Sequence, residues 1–151
     1  MVRGAKTCYS RAVPKSSASR LVLFVCLHGS AKSLIAAEHF TRLARERGLP
    51  YFGESAGLEP DEDVPPPVIA GLRRDGFELS GYVPRSVTMS RVAESAQVVT
   101  FGCELPAAMT DVRSEHWDDL PMVSDGFDRP RDAIVERVER LLHALARDSL
   151  V

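Results

Sequence analysis

Several things are scarce in this chain, and each shortage excludes a class of protein. Its three cysteines, Cys8, Cys26 and Cys103, are an odd number and too few to staple a disulfide scaffold, which points to a reducing compartment, the cytosol. No apolar stretch reaches the roughly eighteen residues that a membrane-crossing helix needs, and the start of the chain lacks the apolar centre of a secretory signal. No membrane partner is therefore expected. Histidines and carboxylates nowhere fall at metal-ligand spacing, so neither a metal nor another cofactor is expected. Repeats and low-complexity tracts are missing, and acids are missing from the first twenty positions, which hold Arg3, Lys6, Arg11, Lys15 and Arg20. Those five bases leave 14 of the chain's 19 for the remainder, against all 21 acids. A domain with that acidic excess is a poor partner for nucleic acid, so any anion site must be local.

What is present suffices for one domain: 151 residues, 44% of them hydrophobic, can bury a substantial core. Residues 1–20, basic and Ser-rich with Pro14, are predicted to form a disordered leader, with a targeting segment or a functional arm as alternatives of similar composition. The domain spans 21–148.

Leu21 to Arg47 organises that domain. Leu21 to Leu27 is an apolar run suited to a strand buried on both faces of a parallel sheet. From Ser33 onward Leu34, Ala37, Phe40, Thr41 and Ala44 keep helical spacing, and Gly48-Leu-Pro50 stops the helix. Between strand and helix lies Cys26-Leu-His-Gly-Ser-Ala-Lys-Ser33. A loop of backbone N–H groups leading into a helix N-terminus suits a phosphate-like oxyanion, and the same field favours a thiolate at Cys26. Leu27, His28, Gly29, Ser30 and Ala31 would supply the amides, Gly29 a left-handed turn, Lys32 a charge and Ser33 a hydroxyl for the thiolate. A nucleotide-binding loop ending at Lys32-Ser33 would need glycines in place of Cys26 and Ala31. Taken alone, Cys26 reads as a small core residue; in this company it reads as a nucleophile.

Downstream, Tyr51 to Ser55 reads as a second strand and Val68 to Asp75 as a helix opened by Pro65-Pro66-Pro67. Ala96 to Phe101 reads as a third strand after a short helix around Val92, and Ser114 to Pro121 as a fourth strand with its exit loop. His116 is expected to be a half-buried strand residue. Arg131 to Arg147 closes the chain as a helix with Ile134, Val138, Leu141, Leu142 and Leu145 on one face. Alternating strands and helices predict an α/β fold with a four-stranded parallel sheet and helices on both faces.

The Cys26 segment resembles the signature of low-molecular-weight protein tyrosine phosphatases and of the related thioredoxin-coupled arsenate reductases: strand, Cys, five residues, Arg, Ser, helix. Cys26 and Ser33 match, while Lys32 stands for arginine, Gly29 for asparagine and His28 for glycine. Ser55-Ala-Gly57, the stretches Gly76 to Ser80 and Arg85 to Thr88, and Arg131-Asp132 with Ile134, Arg137 and Val138 extend the resemblance. It implies a flavodoxin-like fold, attack by Cys26 on a phosphomonoester, with phosphotyrosine one such substrate, and an aspartate that protonates the leaving oxygen. Asp119 is preferred for that role because it lies nearer the loop tip, with Asp118 as the alternative. The family's Asp-Pro pair is absent, and both carboxylates read equally as solvated turn residues. Gly57 to Pro60 and Leu120 to Met122 bring no aromatic walls where the family places them. Cys103 is a structural thiol or, by the arsenate-reductase resemblance, a resolving one; Thr110 stands where that relay's further cysteine would be. Three functions follow: a phosphatase, an arsenate reductase using Cys103, thioredoxin or a small thiol, and a catalytically impaired domain binding an anion or a partner.

Overall fold

The computed structural model describes residues 20–109 and 113–149, so the expected leader, apart from Arg20, lies outside the described residues, as do Cys8 and Thr110. Strands β1 (Arg20–Cys26), β2 (Tyr51–Gly57), β3 (Ser95–Thr100) and β4 (Ser114–His116) form one sheet in the order β2-β1-β3-β4. All three pairings are parallel. After β1 the chain adds β2 on one side and then crosses to add β3 on the other, so the carboxyl end of β1 is the topological switch point, where open α/β sheets bind ligands. Cys26 stands there.

Helix α1 (Lys32–Glu46) leaves the switch point directly, and helices α2 (Pro66–Arg74), α3 (Met89–Glu94) and α4 (Asp128–Ser149) complete the fold. Each boundary has a local cause. Gly48 at φ +68° closes α1, with the Leu49 N–H donating to the Ala44 carbonyl at 2.9 Å; only a residue at ease in the left-handed region permits that bond. Proline opens α2. Thr88 caps α3 by accepting from the Arg91 N–H at 3.2 Å. Most boundaries shift by one residue; the larger shifts are in β2, which runs two residues past Ser55 to Gly57 and its bridge to Ser86, in α2, which starts at Pro66 rather than Val68, and in α4, which starts three residues before Arg131 and ends two after Arg147.

The pleat sends alternate β1 side chains to opposite faces. Val22, Phe24 and Cys26 enter the larger core with Leu34, Ile35 and Phe40 of α1, Val68 and Leu72 of α2, and Ile134, Val138 and Leu142 of α4. Phe24 lies edge-on to Phe40 with centroids 5.4 Å apart and meets Trp117 at 6.0 Å. Leu23 and Val25 enter a smaller cluster with Ala56, Val92 and Val98, edged by Val87, Cys103, Leu105 and Met109. Asp75, at the end of α2, ties the larger face together: it meets His39 Nε2 at 3.2 Å and accepts from Arg131 at 2.5 Å, while its carbonyl accepts from Arg42 at 2.6 Å. Among the described residues no helix is long and apolar enough to cross a membrane.

Candidate active site

The buried Cys26 thiol ends β1 with two hydrogen-bonding partners around its sulfur, of which the Gly29 N–H is a donor. Ser33 Oγ lies 3.0 Å from Sγ, and the Gly29 N–H points at it from 3.2 Å. Ser33 is itself fully buried and passes its hydrogen bonding on to Ser55 Oγ at 2.7 Å. A cysteine reacts as its thiolate.

The shape of the loop follows from where its carbonyls go. Those of Cys26, Leu27 and His28 accept from the amides of Leu58 at 3.3 Å, Glu59 at 2.7 Å and Asp61 at 3.1 Å. The Gly29 carbonyl accepts from Tyr82 Oη at 3.0 Å and Ser55 Oγ at 3.2 Å. With the carbonyls taken from behind, the amide hydrogens of Leu27, His28, Ser30 and Ala31 meet no acceptor among the described residues. Such a row of open N–H groups has the form of an anion cradle. It continues into α1, whose N-cap, Ala31, supplies no side-chain cap, so the positive end of the helix is also free. Gly29 adopts φ +63°, and a Cβ there would sit 2.8 Å from the backbone nitrogen of Gly57. The loop therefore requires glycine both for its left-handed turn and for this close backbone approach. Lys32 is half-buried and forms no ion pair with a described residue, which leaves its ammonium available to a ligand.

The two loop carboxylates face different ways. Asp119, 74% exposed, is gripped by Arg137 of α4, whose Nη2 lies 2.6 and 2.7 Å from its two oxygens; that contact holds its carboxyl below the usual carboxylate range. Asp118 instead accepts from the Gly102 N–H at 2.8 Å. It lines a cavity of about 580 Å³ with Cys103, Glu104, His116 and Thr100, at the carboxyl ends of β3 and β4. Cys103 Sγ lies 3.7 Å from the carbonyl of Val25, the residue before Cys26. Burial pushes this thiol up, and a charge on Cys26 pushes it further. His116 departs from expectation: it is exposed, because β4 is an edge strand, and its Nδ1 meets Thr100 Oγ1 at 2.6 Å. Among the described residues no three or more His, Cys, Asp or Glu side chains gather as a metal would need.

Sequence reasoning passed over Tyr82, Ser55 and Asp61 as parts of the site. Ser55 was visible in Ser55-Ala-Gly57, but its role depends on the pairing of β2 with β1 that brings Gly57 beside Cys26. Tyr82 reaches the loop from 53 residues away and carries no local signal. Its hydroxyl, pushed up to about 12 by burial, stays a donor.

A loop that presents a buried thiol at the switch point of a small parallel sheet defines a class, and comparison with known proteins gives the family. The model of the family "Low molecular weight phosphotyrosine protein phosphatase" matches residues 21–150, and the chain belongs to that family. It is 31% identical over 101 residues to a Halobacterium salinarum protein named "Putative arsenate reductase", across 64% of this chain and 71% of that one. The solved arsenate reductase from Archaeoglobus fulgidus is similar at 29% identity and a TM-score of 0.66, over 81% of this chain and 98% of that chain. YfkJ from Bacillus subtilis shares the fold at 21% identity and a TM-score of 0.74, over 89% of this chain and 99% of that one.

Proposed function

We propose that this protein is a cysteine-dependent phosphatase that hydrolyses a phosphomonoester through a phosphocysteine intermediate. The observation that carries the reading is Cys26 Sγ between the Ser33 hydroxyl and the Gly29 N–H, within a loop whose amides are open. Cys26 attacks phosphorus, the cradle amides and Lys32 hold the equatorial oxygens, and Ser33 restores the thiolate as it leaves. Lysine supplies a point charge where arginine would supply a planar fork, so turnover is lower than an arginine loop would give. The segment flanking the loop, Leu58 to Asp61, has no aromatic side chain, so substrate recognition rests on the phosphate more than on a flat phenol ring. A reducing cytosol keeps Cys26 a thiol.

Arsenate reduction is the second reading, favoured by Cys103 lying beside the residue that precedes Cys26 and by the names of two relatives. There Cys26 displaces water from arsenate, a second thiol attacks the Cys26 sulfur, and arsenite leaves with the electron pair as a disulfide forms. Cys103 packs with the opposite face of the sheet from Cys26, which favours thioredoxin or a small external thiol as the attacker. The deciding experiment incubates the purified protein with p-nitrophenyl phosphate, and separately with arsenate plus thioredoxin or glutathione, alongside Cys26→Ser. Ester hydrolysis lost in Cys26→Ser supports the phosphatase. Arsenate consumption without ester hydrolysis replaces it with the second reading, and inertness towards both leaves an anion-binding domain.

A further inference from the structure

The anion loop carries one ionisable side chain that this scheme leaves unused. His28 Nδ1 lies 3.1 Å from the carbonyl oxygen of Glu59 and 3.5 Å from Oδ1 of Asp61. A carbonyl oxygen only accepts, so Nδ1 carries the proton in that contact, and Nε2 is the working nitrogen, an acceptor in the neutral ring and a donor in the imidazolium. Asp61 is itself fixed to the loop: its Oδ2 accepts from Ser30 Oγ at 2.7 Å, and its N–H donates to the His28 carbonyl at 3.1 Å. The ring is thus oriented from behind while 52% of its side-chain surface stays open to solvent.

His28 is also close to the nucleophile. The Gly29 nitrogen is 3.2 Å from Cys26 Sγ, and an amide nitrogen sits about 2.4 Å from the preceding Cα, so the His28 Cα lies within about 6 Å of the sulfur. Of the two loop carboxylates, Asp119 has both oxygens held by Arg137, and Asp118 gives one oxygen to the Gly102 amide beside the Cys103 cavity.

We propose that His28, oriented by Asp61 and the Glu59 carbonyl, is the proton-transfer residue of this site; the proposal rests on the reading of Cys26 as the nucleophile of a phosphatase. In the first step the S–P bond forms, the ester P–O bond breaks, and the imidazolium gives its Nε2 proton to the leaving oxygen. In the second, water attacks phosphorus, its proton passes to Nε2, and the S–P bond breaks to restore the thiolate.

The test compares two esters on the full chain, p-nitrophenyl phosphate with its good leaving group and a simple alkyl phosphate with a poor one. His28→Gln should slow the alkyl ester by about 100-fold or more and the nitrophenyl ester by less than about tenfold, since proton donation matters most to a poor leaving group. His28→Gly should show the same pattern, with added imidazole restoring alkyl ester hydrolysis. A loss in His28→Gln of the same size on both esters overturns the proposal. So does a loss that depends on the leaving group in Asp118→Asn or Asp119→Asn but not in His28→Gln. Wild-type protein that cleaves neither ester sinks the phosphatase reading and this proposal with it, whereas a wild type that cleaves both separates the two.

Discussion

On one face of the sheet three helices cover Val22, Phe24 and Cys26; on the other, the six-residue α3 and a short 3-10 turn at Ala107–Met109 cover Leu23, Val25 and Val98. The first face contains Cys26, the proposed nucleophile. The second opens at the carboxyl ends of β3 and β4 into the cavity that holds Cys103 and Asp118. A thiol that must meet a tetrahedral anion in one geometry gains from a rigid bed, because misplacement by about 1 Å can cost roughly 100-fold in rate. A wall that admits ligands gains from shallow packing, which lowers the cost of local opening. The two thiols therefore differ in setting, and the contrast can be broken experimentally.

The largest effect separates the thiols directly. Cys26→Ser should reduce turnover by about 1,000-fold or more, since the hydroxyl is far less readily ionised than the thiol and the loop holds no second thiol. Cys103→Ser should change phosphoester hydrolysis by less than about twofold. A Cys103→Ser protein that loses arsenate reduction but keeps esterase activity would make the shallow face a redox partner of the deep one.

Packing depth makes the second prediction. Val138 on the deep face and Val92 on the shallow one are both nearly fully buried, yet truncation costs more where the surroundings cannot collapse. Val138→Ala should cost about 3 kcal/mol and Val92→Ala about 1 kcal/mol in urea unfolding. Equal losses would show that α3 is as firmly seated as α4.

The third prediction concerns Lys32, where the loop turns into α1. Lys32→Arg should raise the rate on p-nitrophenyl phosphate by about tenfold, because a guanidinium adds paired hydrogen bonds to the transferring group. An unchanged or lowered rate would mean that the loop is shaped around lysine.

How far the sequence could be read follows the same division. The buried strand β1, the loop and the amphipathic α4 are local patterns of apolar spacing and turn chemistry, and they were legible, as was the order of strands and helices. Interactions across the fold were not. Asp119 looked free because nothing near it in sequence signals Arg137, eighteen residues on in α4. Asp61 follows β2, whose pairing with β1 sets its segment against His28, and Tyr82 reaches Gly29 through a stretch anchored by the Ser86 bridge to Gly57; neither placement has a local signal. His28 was legible as a loop amide and as a departure from glycine, but the Nδ1 contact that orients its ring is long-range.

The smallest effect lies in the buried cluster of the deep face, and it is a slope with pH. Burial above all holds the His39 imidazole below its ordinary value, the Arg42 and Arg131 charges add to that, and the hydrogen bond to Asp75 opposes it without prevailing. Burial raises the carboxyl of Asp75, but the Arg131 and His39 contacts together outweigh it and leave the group below the usual carboxylate range. Asp75 therefore stays ionised wherever His39 titrates, and the slope there belongs to His39. A histidine depressed in the fold takes up its proton more readily in the unfolded chain, so its contribution to stability is complete above the unfolded value of about 6.5 and is lost as pH falls below it. The urea midpoint should fall between pH 7.5 and pH 5, and His39→Gln, which keeps a donor towards Asp75, should flatten that fall while lowering stability at pH 7.5. An undiminished slope in His39→Gln would place the titrating group elsewhere. A wild type that gains stability on acidification would mean that the fold favours the imidazolium paired with Asp75, with burial the weaker influence.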